Sequence, residues 1–347
     1  MPPISLIATS LAALFVSVAP FPADAKPMAD APAPGELKTF GDWTVGCDNL
    51  RNCKAVTLMP EDYAGDWLDF MLSVERDAGA DGAIRITLSG QADAVPPIRI
   101  TIDGKPIANG GASSNPAFAG ADARRIATAI AAGRSAVITA GGKRAINSLA
   151  GASAALRYID AQQGRAGTSG ALVAKGPAPD RTIAATPPVI RAVAPSGKAA
   201  TLTPAVEAEL REVAQCGIAS YTDEVPRADT HALGGGATLV VLPCDRGAYN
   251  EIAALFIIGA DGKPVPARLD ADAGMNPDPQ PVPSAVNAGF ADGVLSTYAK
   301  GRGLGDCGTS QSYVWDGDRL RLSEMATMSE CRGSMDYITV WQAQVTR

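Results

Sequence analysis

Short runs in which apolar and polar residues alternate recur along most of the chain, the pattern of half-buried strands. Trp43–Val45, Ala55–Leu58, Phe70–Val74 and Ile84–Leu88 are such runs, the last two joined across Asp81-Gly82. Ile98-Arg99-Ile100-Thr101-Ile102 alternates strictly, and the Asp103-Gly104 that follows predicts a tight hairpin turn, because glycine tolerates positive φ. Two stretches switch to helical spacing. Ala121–Ala132 carries Ile126 and Ile130 one turn apart and stops at Gly133. Leu149–Gln163 aligns Leu149, Ala152, Leu156 and Ile159 on one face, with Gly164 past its end. Ala136–Thr139 between them reads as a strand.

Further on, Thr203 suits a helix cap and Pro204 a first helical turn, with Val206, Leu210 and Val213 as the apolar stripe and Cys216-Gly217 as the stop. Strands then follow at Thr238–Leu242, Ile252–Ile258 and Val265–Leu269, the last two flanking Asp261-Gly262. Val294–Tyr298, Ser312–Trp315, Arg319–Met325 and Tyr337–Val345 predict a closing antiparallel meander, with Asp316-Gly317 as one turn. The fold class expected is mainly β with a few helices (α+β), the second domain being an antiparallel sheet.

Breaks in the pattern set the boundaries. Ile4–Ala19 is apolar, Pro20 and Pro22 interrupt it, and Ala23-Asp24-Ala25 offers small residues for cleavage, so residues 1–25 read as a secretory signal peptide. No Lys or Arg precedes the run. The alternative, an uncleaved anchor, has a short run for a bilayer span. No later run is long enough to cross a membrane. Residues 26–36 form a Pro/Ala-rich disordered leader, residues 37–175 a first domain, and residues 204–347 a second. Between the domains, 176–203 holds Pro177, Pro179, Pro187, Pro188 and Pro195 and reads as an extended, stiff linker.

The chain has 347 residues, only 5% aromatic and 19% charged, which limits how much large-side-chain burial each core can supply. Six cysteines, Cys47, Cys53, Cys216, Cys244, Cys307 and Cys331, all lie beyond the signal peptide. In an exported chain an even set implies disulfides and an oxidising compartment, here the periplasm. Six cysteines allow about 15 pairings; pairing each with its neighbour is the simplest. A metal site is the rival reading, but there is no Cys-x-x-Cys and His231 is the single histidine. No metal or other cofactor is expected. The net charge is −6, with no basic stripe, which argues against nucleic acid as a partner.

Candidate chemistry is sparse. His231 reads as a loop residue ahead of a strand, and no Gly-x-Ser-x-Gly elbow accompanies it. Asp270–Asp278 matches a calcium loop only at its first two positions, since Met275 and Pro281 stand where Gly and Glu belong. Gly301-Arg302-Gly303-Leu304-Gly305-Asp306 lacks the dinucleotide spacing and reads as a loop that places Cys307, although Lys300 and Arg302 could meet an anion there. Carboxylate pairs for glycoside cleavage leave no linear signature. No catalytic residue is assigned.

Several segments together resemble the exported bacterial family known as domain of unknown function 1176. They are Phe40-Gly41-Asp42-Trp43-Thr44-Val45-Gly46-Cys47-Asp48-Asn49 with Cys53; Ser148–Gly151 continuing through Leu156–Arg165; Cys244-Asp245-Arg246-Gly247-Ala248-Tyr249-Asn250; Gly303–Gly308 with Trp315-Asp316-Gly317; and Cys331 with Trp341. The first half is similar, more distantly, to the invasion-associated locus B family, although Phe118–Arg125 lacks that family's second cysteine pair. This resemblance implies a β-sandwich-like first domain in the envelope and carries over no catalytic residue. The expectation is a non-catalytic module that binds an envelope protein or polymer, with Tyr249, Asn250, Lys300 and Arg302 as candidate surface. An envelope hydrolase using carboxylates, or an inhibitor of a secreted enzyme, is the alternative.

Overall fold

Alternation becomes strand along the whole described chain, 22 strands in all, and three α-helices interrupt them among the described residues. A computed structural model describes residues 31–347 except 114, 183, 222–223 and 274–279. The signal peptide, residues 26–30 of the leader and the second part of the acidic 270–278 segment lie outside the described residues.

The first half contains β1 (Lys38–Phe40), β2 (Trp43–Cys47), β3 (Cys53–Thr57), β4 (Met71–Arg76), β5 (Ile84–Ser89), β6 (Ile98–Ile102), β7 (Lys105–Gly110) and β8 (Phe118–Ala119). Then come α1 (Gly120–Ala132), β9 (Ser135–Ala140), β10 (Lys143–Ser148) and α2 (Ala152–Gln162). An antiparallel sheet runs β1-β2-β3-β4-β5-β8, and a second runs β10-β9-β6-β7. The period of two sorts the first sheet's side chains cleanly. Val45, Ala55, Val74 and Ile86 are ladder partners on one face. They share a core with Ile126 and Ile130 of α1, Leu156 and Ile159 of α2, and Ile100 and Ile138 of the second sheet. Two sheets and two helices thus enclose one apolar cluster, as a sandwich does. Gly151, at φ +92° just before α2, is required there: a Cβ would fall 1.7 Å from the Phe40 carbonyl oxygen.

Strand β10 is an element the alternation does not predict. Its inward positions are Ala145 and Asn147 while Ile146 faces solvent, so its hydrophobic alternation is inverted. Asn147 is buried because it bonds to Thr57 and to the backbone of Phe70 and Leu72. The motif ending α2 is a buried polar hub. Asp160 accepts three backbone N–H groups, from Leu172, Val173 and Ala174, at 2.7–2.9 Å. Gln163 donates to the carbonyls of Arg51 and Arg76, and Arg165 pairs with Asp180.

The second half contains β11 (Val189–Arg191), α3 (Pro204–Val213), β12 (Asp229–Gly234), β13 (Ala237–Arg246), β14 (Glu251–Ile258), β15 (Pro264–Pro266) and β16 (Ser284–Val286). Strands β17 (Gly289–Ala291), β18 (Val294–Lys300), β19 (Gly308–Trp315), β20 (Leu320–Met328), β21 (Ile338–Gln342) and β22 (Gln344–Thr346) complete it. One sheet is β12-β13-β14-β15 with β16 also on β14, and the other is the meander β17-β18-β19-β20-β21. Leu239, Val241, Leu255 and Ile257 of the first sheet meet Leu295, Tyr313 and Leu322 of the second. The opposite face, with Val240, Leu242 and Phe256, is covered by Leu210 of α3.

Three local expectations change here. His231 lies in strand β12 rather than in a loop; Gly234–Gly236, which look like loop, make the hairpin turn to β13. Val213 is 53% exposed, and Glu207 takes the inward position instead, held by Arg227 and Arg211. The C-terminal run splits: β21 closes the meander, whereas β22 pairs in parallel with β11, inside the proline-rich stretch. Proline keeps that stretch extended and so presents an edge for pairing. The remaining capping prediction holds, with Thr203 accepting the Val206 N–H at 3.3 Å.

The three disulfides are Cys47–Cys53, Cys216–Cys244 and Cys307–Cys331, the simplest of the open pairings. Cys47 and Cys53 face each other across the β2–β3 ladder. Cys216 follows α3 and bonds to β13, tying the helix to its sheet. Among the described residues no helix is long and apolar enough to cross a membrane.

Candidate functional site

The uncovered face of the first sheet meets the C-terminal part of the second half. Val56 and Leu58 cluster there with Cys307, Met328 and Ile338. Around this apolar centre, Lys54 pairs with Asp336 and, at 3.4 Å, with Glu75. Arg85 binds Glu75 at 3.0 Å and also Asp77. Arg332 donates to the Met59 and Gly41 carbonyls and pairs with Asp42. A polar pocket of about 270 Å³ remains between Lys54, Glu75, Asp77, Arg85, Thr339, Gln342 and Tyr337.

Beyond Tyr337 lies a wider cleft of about 470 Å³, lined by Asn287, Ser296, Thr297, Tyr298, Ser310, Met335 and Tyr337. Tyr337 is a wall common to both spaces. The rings of Tyr298 and Tyr337 meet edge-to-face at 5.8 Å. Their hydroxyls converge on the Gly305 carbonyl, at 2.6 and 3.1 Å. Gly305 has φ +74°, and a Cβ there would press to 2.9 Å from the Tyr298 hydroxyl, so this approach is available only to glycine. Burial, and then the bond with Tyr298, raises the Tyr337 phenol far above its ordinary value. Tyr337 is therefore not poised to exchange protons at neutral pH.

The four residues singled out in the sequence come together around the 300–307 loop, next to Asn287 and Tyr298 of this cleft. Asn250 is buried; its amide donates to the Lys300 carbonyl at 2.9 Å and accepts the Lys300 N–H at 3.2 Å. Asn287 adds bonds to Asn250 and to the Tyr298 carbonyl. These two side chains occupy the edge of β18 that β17 leaves open, where a neighbouring strand would otherwise bond. Tyr249 donates to the Gly301 carbonyl at 3.1 Å and lies against Gly303. Lys300 places its ammonium 5.7 Å from the Tyr298 ring centroid. Arg302 forms a two-pronged ion pair with fully buried Asp306, which also accepts the Gly333 N–H at 2.7 Å. Arg302 is therefore already matched to a carboxylate.

What the sequence did not reveal is that Leu304 and Met335 join Tyr249 in an exposed apolar patch. Tyr249 is 41%, Leu304 56% and Met335 48% exposed, all beside the 300–307 loop. Met335 comes from a later segment, beyond strand β20, and approaches Gly305. Leu304 was legible only as one apolar residue within a glycine-rich loop. The lining contains aromatic faces, hydroxyls and an amide but no carboxylate. It can stack and hydrogen-bond; it has no acid–base pair.

The other candidates take ordinary places. The His231 ring stacks on Phe290 at 4.6 Å. Burial lowers its pKa, and the charge of Asp229, two residues away, opposes that shift. Asp270, at the head of the calcium-like segment, binds Arg321 at 2.8 Å and accepts the Leu322 N–H at 2.7 Å. No group of three metal-ligating side chains occurs among the described residues.

Comparison with known proteins gives a family without an activity. Residues 37–344 match the model described as "Protein of unknown function (DUF1176)". The chain is similar to the Escherichia coli (strain K12) protein named "Uncharacterized protein YpfG", 30% identical over 335 residues that cover 88% of this chain and 92% of that one. No solved structure matches it. With a family model spanning nearly all of the described chain and a relative matching along almost its full length, the chain belongs to the DUF1176 family of proteins of unknown function.

Proposed function

We propose that this protein is a non-catalytic binding module of the bacterial periplasm, exported by a signal peptide at residues 1–25, and that it holds an envelope protein or polymer at the cleft beside the 300–307 loop. The observation that carries this reading is exposed Met335 in a cleft whose described lining has no carboxylate, with exposed Leu304 and Tyr249 in and beside the adjoining 300–307 loop. Exposed apolar side chains gathered around a concave surface favour association, and aromatic rings supply contact area with little loss of side-chain freedom. Three disulfides suit an oxidising compartment. Tyr249, Asn250, Lys300 and Arg302 then divide their roles: Asn250 and Arg302 shape the loop, while Tyr249 and Lys300 face the ligand.

The test is capture from periplasmic extract and from purified envelope polymer, comparing the native protein with Leu304→Ser/Met335→Ser and with a reduced, alkylated sample. A partner retained by the native protein and lost by the double variant supports the reading. Turnover of an envelope polymer without a retained partner overturns it in favour of a hydrolase. Two further parts of the proposal have their own tests. Independent domains at 37–175 and 204–347 predict two resistant fragments after limited proteolysis within 176–203. Distant kinship of the first half with the invasion-associated locus B family predicts the β1-β2-β3-β4-β5-β8 sheet order in a member of that family.

A further inference from the structure

Arg76, the last residue of β4, is 1% exposed, and among the described residues its Nε and Nη1 have no hydrogen-bond partner. A buried guanidinium without a counter-charge is strongly unfavourable, and folded proteins rarely leave such donors unmatched. The acids nearby do not serve it. Asp160 is engaged by three backbone N–H groups, and Asp180 by Arg165 and Thr182. Arg165 is itself fully buried and bonded to Gln163, Asp180 and the Gly79 carbonyl. Arg124, half-buried on α1, makes no side-chain bond to any described residue. The local sum over Arg76, Arg124, Arg165, Asp160 and Asp180 is three positive charges against two negative. Burial, with the charges of Arg165 and Arg124, lowers the Arg76 pKa to about 10, so it stays cationic at neutral pH.

We infer that Arg76 and Arg124 hold a small oxyanion, a phosphate or carboxylate group, where β4 ends between α1 and the last turn of α2. Guanidinium groups form their strongest hydrogen bonds with such oxygens. One oxyanion would give Arg76 both its missing partner and its missing charge. This site lies in the first half, in the helix-covered core, and does not depend on the cleft reading.

Thermal unfolding of the full mature chain tests it, in inorganic phosphate, in acetate and in chloride at equal ionic strength. Phosphate or acetate should raise the melting temperature by about 2 °C or more over chloride. Phosphate alone identifies a phosphate group, and acetate alone a carboxylate. The rise should vanish in Arg76→Met and in Arg124→Met. In chloride, Arg76→Met should melt at or above the native protein, since it removes an unmatched buried charge. No rise with either anion overturns the inference, as does a rise that survives in Arg124→Met. If Arg76→Met fails to fold, the half-buried Arg124→Met decides by itself.

Discussion

The two halves stabilise their sheets by different means. In the first, six strands, four strands and two helices enclose one continuous cluster, with Trp43, Phe70 and Leu156 fully buried. Its disulfide spans only 6 residues. In the second, the β13–β14 layer separates two smaller clusters, one against the meander and one under α3. The disulfides there span 28 and 24 residues. Long cross-links stand where the apolar interior is divided, and the short one where it is continuous. Covalent constraint there supplements an apolar interior split into two small clusters.

That contrast can be broken experimentally. The largest effect should come from Trp43→Ala, which leaves a cavity and an unbonded Ser148 carbonyl; about 3–5 kcal/mol of unfolding free energy should be lost in denaturant titration. Leu242→Ala, in the smaller cluster under α3, should lose less, and equal losses would contradict the difference in packing. Next, removing Cys216–Cys244 should cost about 3.5 kcal/mol and removing Cys47–Cys53 about 2 kcal/mol, from the loop lengths they close. Hydrogen exchange should show the first loss concentrated in α3 and β13; even loosening of both halves would refute local control.

Asp306→Asn should be smaller, roughly 1–3 kcal/mol, through loss of the charged bonds from Arg302 and Gly333. Burial alone would raise the Asp306 carboxyl, but those bonds outweigh it and hold it below the ordinary carboxylate value. Its stabilisation is therefore complete above the unfolded value of about 4 and is lost as pH falls through the lower folded value. Stability followed from pH 5 downward should fall less steeply in the variant. The smallest change is expected from Tyr249→Phe, under about 1 kcal/mol, because its bond to Gly301 is exposed. A thermal scan detects a larger loss, which would make Tyr249 a structural strut rather than a contact residue.

Elements whose burial follows a simple period were legible in the sequence. The strict Ile98–Ile102 alternation, the Ile126/Ile130 face of α1 and the Thr203-Pro204 start of α3 all correspond to structure. Strand β10 was hidden because a polar side chain, Asn147, is its inward anchor, and β12 because three glycines follow it. The neighbourhood of Tyr249, Asn250, Lys300 and Arg302 was partly legible, since a family-like motif marked the first loop and a glycine-rich run the second. The cleft beside them was not. Met335 and Tyr337 reach it through a fold-back whose partners lie far away in sequence, and no local pattern encodes that return.

The fold-back at residues 332–337 has a mechanical consequence. Arg332 and Asp336 grip the first sheet through Asp42, Lys54 and Ser73, while Met335 and Tyr337, one on each side of Asp336, face the cleft of the second half. The cleft wall they form is thus footed on foreign ground. A shift of strand β3 or β4 would tilt it as a lever tilts on its pivot, making the shape of the cleft depend on the first half.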